Sequence, residues 1–162
     1  MSKIESTVEK ILDIEQGLED IDYLKEVAKS ISKNLSIKFV LIGYPVEESY
    51  EKIQTNVVWA GDQYLENFVY DLDNTPCNSV MCNQKTSIHE NNLTDAFPTN
   101  ELLKQMGVSS YLGTPIQNAK TNGMSGILAL IDDKPIEQSD FLISVLESLS
   151  SKITPKMKSV CC

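Results

Sequence analysis

Few residues in this chain could do chemistry, and they are scattered. Its 162 residues hold four cysteines (Cys77, Cys82, Cys161 and Cys162) and a single histidine, His89. Cys77 follows Thr75-Pro76, a pair that starts helices. Proline suits the first helical position, and the threonine hydroxyl can accept a bond from a free N–H of the first turn. A thiol in a first turn lies where the thiolate is favoured. A redox or covalent role for Cys77 therefore stands beside the simpler reading of a structural cysteine. Cys82 is five positions on, which turns the two thiols apart on a helix and makes them no matched metal pair. One imidazole and few thiols supply neither a zinc nor a haem ligand set, so no metal is expected. His89 reads as a polar residue at a strand end, lining a cavity. The acids Asp71, Asp73, Asp132 and Asp133 flank strands and turns, and Asp132-Asp133 reads as a solvated strand end. There is no Ser-His-Asp order, glycine-rich phosphate loop, HExxH or CxxC. No catalysis of its own is expected.

The elements that must position these residues follow from periodicity. Ile4, Val8 and Ile11 step by helical intervals, as do Ile21, Leu24, Ala28, Ile31 and Leu35, with Gly17 breaking the pattern between them. This predicts a helix over 4–14 and another over 18–34. Strands are expected at 37–43, 53–60 and 68–72, where branched and aromatic residues cluster. A short helix over 76–83 follows, then a brief strand at 86–89 and a loop over 91–98 that tucks Leu93 and Phe97 inward. Thr99 or Asn100 caps a helix through Met106, and Gly107 stops it. Residues 110–116 and 124–132 make a hairpin around Asn122-Gly123. Ile127 to Ile131 leave no polar face, so that strand is covered on both sides. Ser139 caps a last amphipathic helix, and Pro155 ends it.

The resulting expectation is an α+β fold in three layers. A central antiparallel sheet of five or six strands carries the terminal helices on one face. The segment from Asp73 to Gly107 roofs the other. Trp59, Tyr70, Cys77, His89, Phe97, Met106 and Tyr111 are predicted to converge beneath that roof as a ligand-binding site, because a mainly apolar pocket with a few polar groups is what small-molecule sites look like. The organisation reads as an N-terminal helical segment (1–16), a domain (17–154) and a flexible tail (155–162). The paired Cys161-Cys162 is not the four-residue prenylation box.

Composition narrows the partners. The net charge of −9 argues against nucleic acid, which is bound through lysine and arginine. No apolar run approaches the roughly 18 residues of a membrane span, and the N-terminus lacks a secretory h-region. A cytoplasmic protein with free thiols is the expectation. The stripe Ile4, Val8 and Ile11, with the outer face of the last helix, offers a surface for a homodimer. The competing expectation is that this segment folds back onto its own domain.

Between Tyr70 and Asp132 the chain reads Tyr70, Leu72, Thr75-Pro76-Cys77, Phe97-Pro98, Ser110-Tyr111-Leu112-Gly113, Pro115, Gly126, Leu128 and Asp132. In that order these residues resemble GAF domains, the small sensory modules of bacterial signalling proteins, over about residues 20–153. Where the most similar subset has cysteine-tyrosine-proline, this chain has Ser87-Ile88-His89. The resemblance implies a regulatory module that binds a small molecule and acts on a separate output or kinase protein. It leaves the cofactor open. Two alternatives share the fold: a dimerisation scaffold whose pocket is filled by its own side chains, and a thiol-based enzyme related to the free methionine sulfoxide reductases, with Cys77 and Cys82 as its available cysteines.

Overall fold

The computed structural model describes residues 2–46, 51–117 and 124–157. In chain order the elements are α1 (Lys3–Ile11), α2 (Asp20–Leu35), β1 (Phe39–Pro45), β2 (Lys52–Ala60), β3 (Gln63–Tyr64), β4 (Val69–Asp71), α3 (Cys77–Asn83), β5 (Ser87–His89), α4 (Leu93–Ala96), α5 (Glu101–Met106), β6 (Ser110–Gln117), β7 (Met124–Asp132) and α6 (Ser139–Met157). The sheet runs β3-β2-β1-β7-β6-β5, with β4 also paired to β2, and every pairing is antiparallel. Six of its seven strands are those the residue patterns predict. The seventh, β3, is two residues long and too short to leave a pattern.

β7 lies between β1 and β6 and is buried along its apolar run. Alternation sends Leu128 and Leu130 into one core and Ile127, Ala129 and Ile131 into the other. The first core belongs to α1, α2 and α6. The second is closed by α3 and by the α4 and α5 turns.

The N-terminal stripe is satisfied within the chain. Val8 and Ile11 are buried, and α1 packs on α6 and α2. The Ser30 hydroxyl also donates to the Ile11 carbonyl, at 2.7 Å. Covering this stripe in its own chain removes the exposed apolar surface that argued for pairing through it. Gly17 sits between the two helices with φ of +86°, a backbone region glycine enters at no steric cost.

Three helix ends differ from expectation. Pro155 does not end α6, which continues to Met157. Met157 is fully buried, and a Cβ on Gly126 would come within 2.7 Å of its Cε. Burying such a side chain is worth about 1.5–3 kcal/mol, comparable with the roughly 3 kcal/mol a helical proline costs. Ser139 is the first residue of α6, and its hydroxyl donates to the Glu90 carboxylate rather than capping. Thr75 makes no cap either: its hydroxyl donates back to the Leu72 carbonyl at 2.6 Å, while Pro76 holds the N-cap position of α3. Asn100 does cap α5, accepting from the Leu103 N–H at 3.0 Å, and Gly107 ends that helix with φ of +67°. The Asn122-Gly123 turn and the Cys161-Cys162 pair lie outside the described residues.

Asp132, expected at a solvated strand end, is buried. Its carboxylate accepts from the Lys38 and Asp133 N–H groups and from Lys134 Nζ at 2.6 Å. Lys134 Nζ also donates to the Ser36 carbonyl. The pair therefore fastens the end of β7 to the α2–β1 connection, which is a structural task. Asp133 is exposed.

Candidate functional site

Between the sheet and its roof lies a cavity of about 150 Å³. Phe39 and Leu41 of β1, Val58 of β2, Ile131 of β7, and Leu103 and Met106 of α5 supply most of its wall. Leu65, Phe68 and Leu102 also border it while remaining exposed, which marks the side open to solvent. Among the described residues, no lysine, arginine, histidine, aspartate or glutamate lines it. Its polar side chains are those of Tyr70, Thr75, Cys77, Asn100 and Tyr111. The Thr75 hydroxyl is committed to Leu72. Asn100 is committed at both ends, accepting from Leu103 and donating to the Asn74 carbonyl.

What remains is a cluster around one sulfur. The Tyr70 hydroxyl donates to Cys77 Sγ at 3.3 Å, and the Tyr111 hydroxyl donates to the same atom at 3.2 Å. Burial raises the Cys77 pKa above 9.0, and the two phenol bonds only partly oppose that. The thiolate expected from the helix start is therefore disfavoured, because desolvation of a buried charge outweighs a first-turn dipole. Burial, and the negative charge Cys77 would carry as a thiolate, push both tyrosines well above their ordinary value. Both remain neutral hydrogen-bond donors. Cys82 is exposed, and its thiol bonds the Asn78 side chain.

Tyr111 can lie where it does because Gly113 leaves room. The two residues share a strand face, and a Cβ on Gly113 would fall on the Tyr111 hydroxyl and within 2.7 Å of Cζ. The Tyr111-Leu112-Gly113 phrase thus has a steric cause. The phenol folds back along its own strand to reach Cys77, over the place where any other residue would put a side chain.

Of the seven residues predicted to converge, Tyr70, Cys77, Met106 and Tyr111 line the cavity. Phe97 packs in the same roof-side core without lining it. His89 sits beside that core, edge-on to Phe97 at 5.5 Å and to Tyr111 at 6.4 Å between ring centroids. Desolvation lowers its pKa from 6.5. Trp59 is on the opposite face, in the core of the long helices, edge-on to Tyr64.

A bulge explains the misplaced tryptophan. β2 pairs with β1 as Thr55↔Gly43 and then Val57↔Ile42, so Asn56 is an extra residue. Strict alternation from Ile53 would carry Trp59 to the roof face. One added residue flips everything after it, sending Trp59 to the helices and Val58 to the cavity. The bulge also anchors the cavity's edge. Thr55 Oγ1 donates to Asn67 Oδ1 and accepts from the Phe68 N–H, both at 2.9 Å, while Asn67 Nδ2 donates to the Asn56 carbonyl. Phe39, Leu41, Val58, Leu103 and Ile131 also line the cavity and are not among the seven residues expected there. Strand alternation counted through a bulge would have found Val58.

Among the described residues, no group of three or more His, Cys, Asp or Glu is placed to hold a metal ion, and no helix is long and apolar enough to cross a membrane.

An antiparallel sheet with long helices on one face and a short-helix roof over a cavity on the other defines a class of small α+β modules. A family model for the GAF domain matches residues 21–154, and the chain belongs to that family. Comparison with curated proteins finds no match. Among solved structures, the chain is similar to the GAF domain of the Acinetobacter phosphoenolpyruvate-protein phosphotransferase, with a TM-score of 0.73, 15% identity, and coverage of 99% of this chain and 96% of that one. It is similar to the corresponding domain from Coxiella burnetii, with a TM-score of 0.70, 12% identity and coverage of 97% and 94%. It is also similar to the free methionine-R-sulfoxide reductase of Neisseria meningitidis solved with its substrate, with a TM-score of 0.70, 12% identity and coverage of 96% and 86%. At these identities the likeness concerns the fold.

Proposed function

We propose that this GAF domain is a regulatory module that takes a small molecule into the cavity under its roof and signals to a separate output protein, without catalysis of its own. The observation that carries this reading is the character of the cavity: walled by apolar side chains, free of charged ones among the described residues, and open along the edge where Leu65, Phe68 and Leu102 are exposed. The similar domains from phosphoenolpyruvate-protein phosphotransferases are consistent with a part inside a larger signalling assembly. The similar reductase suggests the enzyme alternative. Against it stands Cys77, the one cysteine at the cavity among the described residues, whose thiol is buried under two phenols and held protonated.

The scaffold alternative draws on size. The cavity is smaller than the roughly 300–1,000 Å³ usual for drug-sized ligands, so a domain whose own side chains nearly fill it would look similar. Native mass spectrometry of freshly purified protein, with a thermal-shift screen of small neutral compounds, separates the readings. A retained mass, or a melting-temperature rise that Val58→Phe abolishes, supports the sensor. No retained mass and no shift with any compound leaves the scaffold. Turnover of methionine sulfoxide with a thiol reductant, lost in Cys77→Ser, would establish the enzyme instead.

A further inference from the structure

The cavity's walls are nearly all apolar, yet two hydroxyls meet there on one sulfur. That combination specifies a ligand more narrowly than size alone. Each phenol must donate its proton to something, since a buried donor left unpaired costs about 1–3 kcal/mol. The acceptor both use is the Cys77 thiol, and sulfur is a weak acceptor. A ligand oxygen arriving at the cluster would offer Tyr70 or Tyr111 a better partner at little loss, and the displaced thiol is the cheapest polar group to leave underused.

The same walls exclude other classes. An anion would be buried with no cation among the lining residues, a cation with no carboxylate, and either is strongly disfavoured. A molecule rich in hydroxyls would bring several donors to a wall with few acceptors: Thr75 Oγ1, which spends its own proton on Leu72, and the remaining lone pair of Asn100 Oδ1 are the oxygens left to receive them beside the two phenols. Size sets the upper limit. An apolar protein cavity of about 150 Å³ holds a single benzene-sized ring of about six heavy atoms, and this cavity has that volume.

We propose that the ligand of this cavity is a small neutral carbonyl compound, one ring or its open-chain equivalent, whose oxygen takes the hydroxyl proton of Tyr111 or Tyr70 from Cys77 Sγ. The proposal rests on the sensor reading above and adds the ligand's chemistry to it. Binding is non-covalent: one hydrogen bond is exchanged for another and no bond to sulfur forms. The ligand enters past Leu65, Phe68 and Leu102, and its apolar body meets Leu41, Val58 and Leu103.

Three probes of matched size test this: cyclohexanone, methylenecyclohexane (the same outline without the oxygen) and cyclobutanecarboxylate. Each is titrated into the whole protein and followed by protein-observed NMR, for the natural chain and for Tyr111→Phe and Tyr70→Phe. Cyclohexanone is expected to bind. One of the two tyrosine variants is expected to weaken it roughly three- to tenfold, the worth of one net hydrogen bond, while leaving methylenecyclohexane unchanged or tighter. The carboxylate is expected not to bind. If methylenecyclohexane binds and neither tyrosine variant changes cyclohexanone relative to it, the carbonyl inference is overturned and the small-molecule reading survives. Carboxylate binding as tight as the ketone's overturns it as well. If no probe binds to folded protein, this inference is overturned, while the sensor reading is decided separately by the retained mass and the compound screen described above. The shift dispersion of each variant's spectrum reports that it is folded.

Discussion

On one face of β7, Leu128 and Leu130 share a core with Leu146 and Leu149 of α6, all fully buried. On the other face, Ile127, Ala129 and Ile131 of the same strand look toward three helices of seven, four and six residues, and a cavity remains. Helices α2 and α6, of 16 and 19 residues, lay continuous ridges along the sheet and can interdigitate with it. The short roof helices cannot. Of these, α5 is bracketed by its own Asn100 and Gly107, and together the three meet the sheet at a few points. One strand thus serves a close-packed face and an open one, and the difference lies in what covers it.

This contrast can be broken or sharpened by substitution. The largest effect is expected from Leu149→Ala on the packed face. It leaves a void the long helices cannot collapse around, at a cost of about 2–5 kcal/mol, read as a fall in denaturant midpoint. Gly113→Ala should come next. It forces Tyr111 off Cys77 and costs about 1–3 kcal/mol by overpacking, while the chemical shifts of the α2–α6 core stay put. If Gly113→Ala proves neutral, the phenol does not lie back on its own strand as described. A matched pair then tests the faces directly. Val145→Ile adds a methylene to the filled core and should lower stability by about 1–3 kcal/mol. Val58→Ile adds the same group beside the cavity and should raise stability by up to about 0.8 kcal/mol. Equal losses at both positions would mean the roof side is as full as the helix side.

The smallest effect concerns His89. Burial holds its folded pKa below 6.5, so the unfolded chain binds more protons through that window. Stability contributed by the neutral ring is complete above 6.5 and lost as pH falls below it. Relative to His89→Gln, the natural chain should lose stability as pH falls below 6.5 in parallel denaturation series. A flat difference would place the ring in solvent.

Much of the fold was legible because its signals are local. The apolar run from Ile127 to Ile131 announces a strand covered twice, and Asn100 with Gly107 brackets a helix in any context. Tyr111 and Gly113 were legible as a phrase, although the reason for their spacing appears only when the phenol is seen lying over the glycine. The bulge was not legible. Val57-Val58-Trp59 is apolar throughout and carries no parity, and Asn56 is distinguished only by its pairing with a strand elsewhere in the chain. That single residue misplaced Trp59 and hid Val58. The α1 stripe was equally plain in sequence, but a stripe states that something must cover it and not what does. Cys77 misled for a related reason, since a helix start is a local feature and the burial that governs its thiol is not.

The buried side chains that flank the family match bear on how much of the chain must fold together. The family match stops at residues 21 and 154, yet Val8 and Ile11 before it and Met157 after it are buried side chains. The unit this chain folds as is therefore wider than the stretch the family model matches, and the flanks close its helix-side core. A polypeptide cut to 21–154 should keep the sheet and the cavity but expose the α2–α6 groove and the glycine contact beneath Met157. It is expected to melt lower and to self-associate in sedimentation. Unaltered melting and a clean monomer would mean those closures are ornamental.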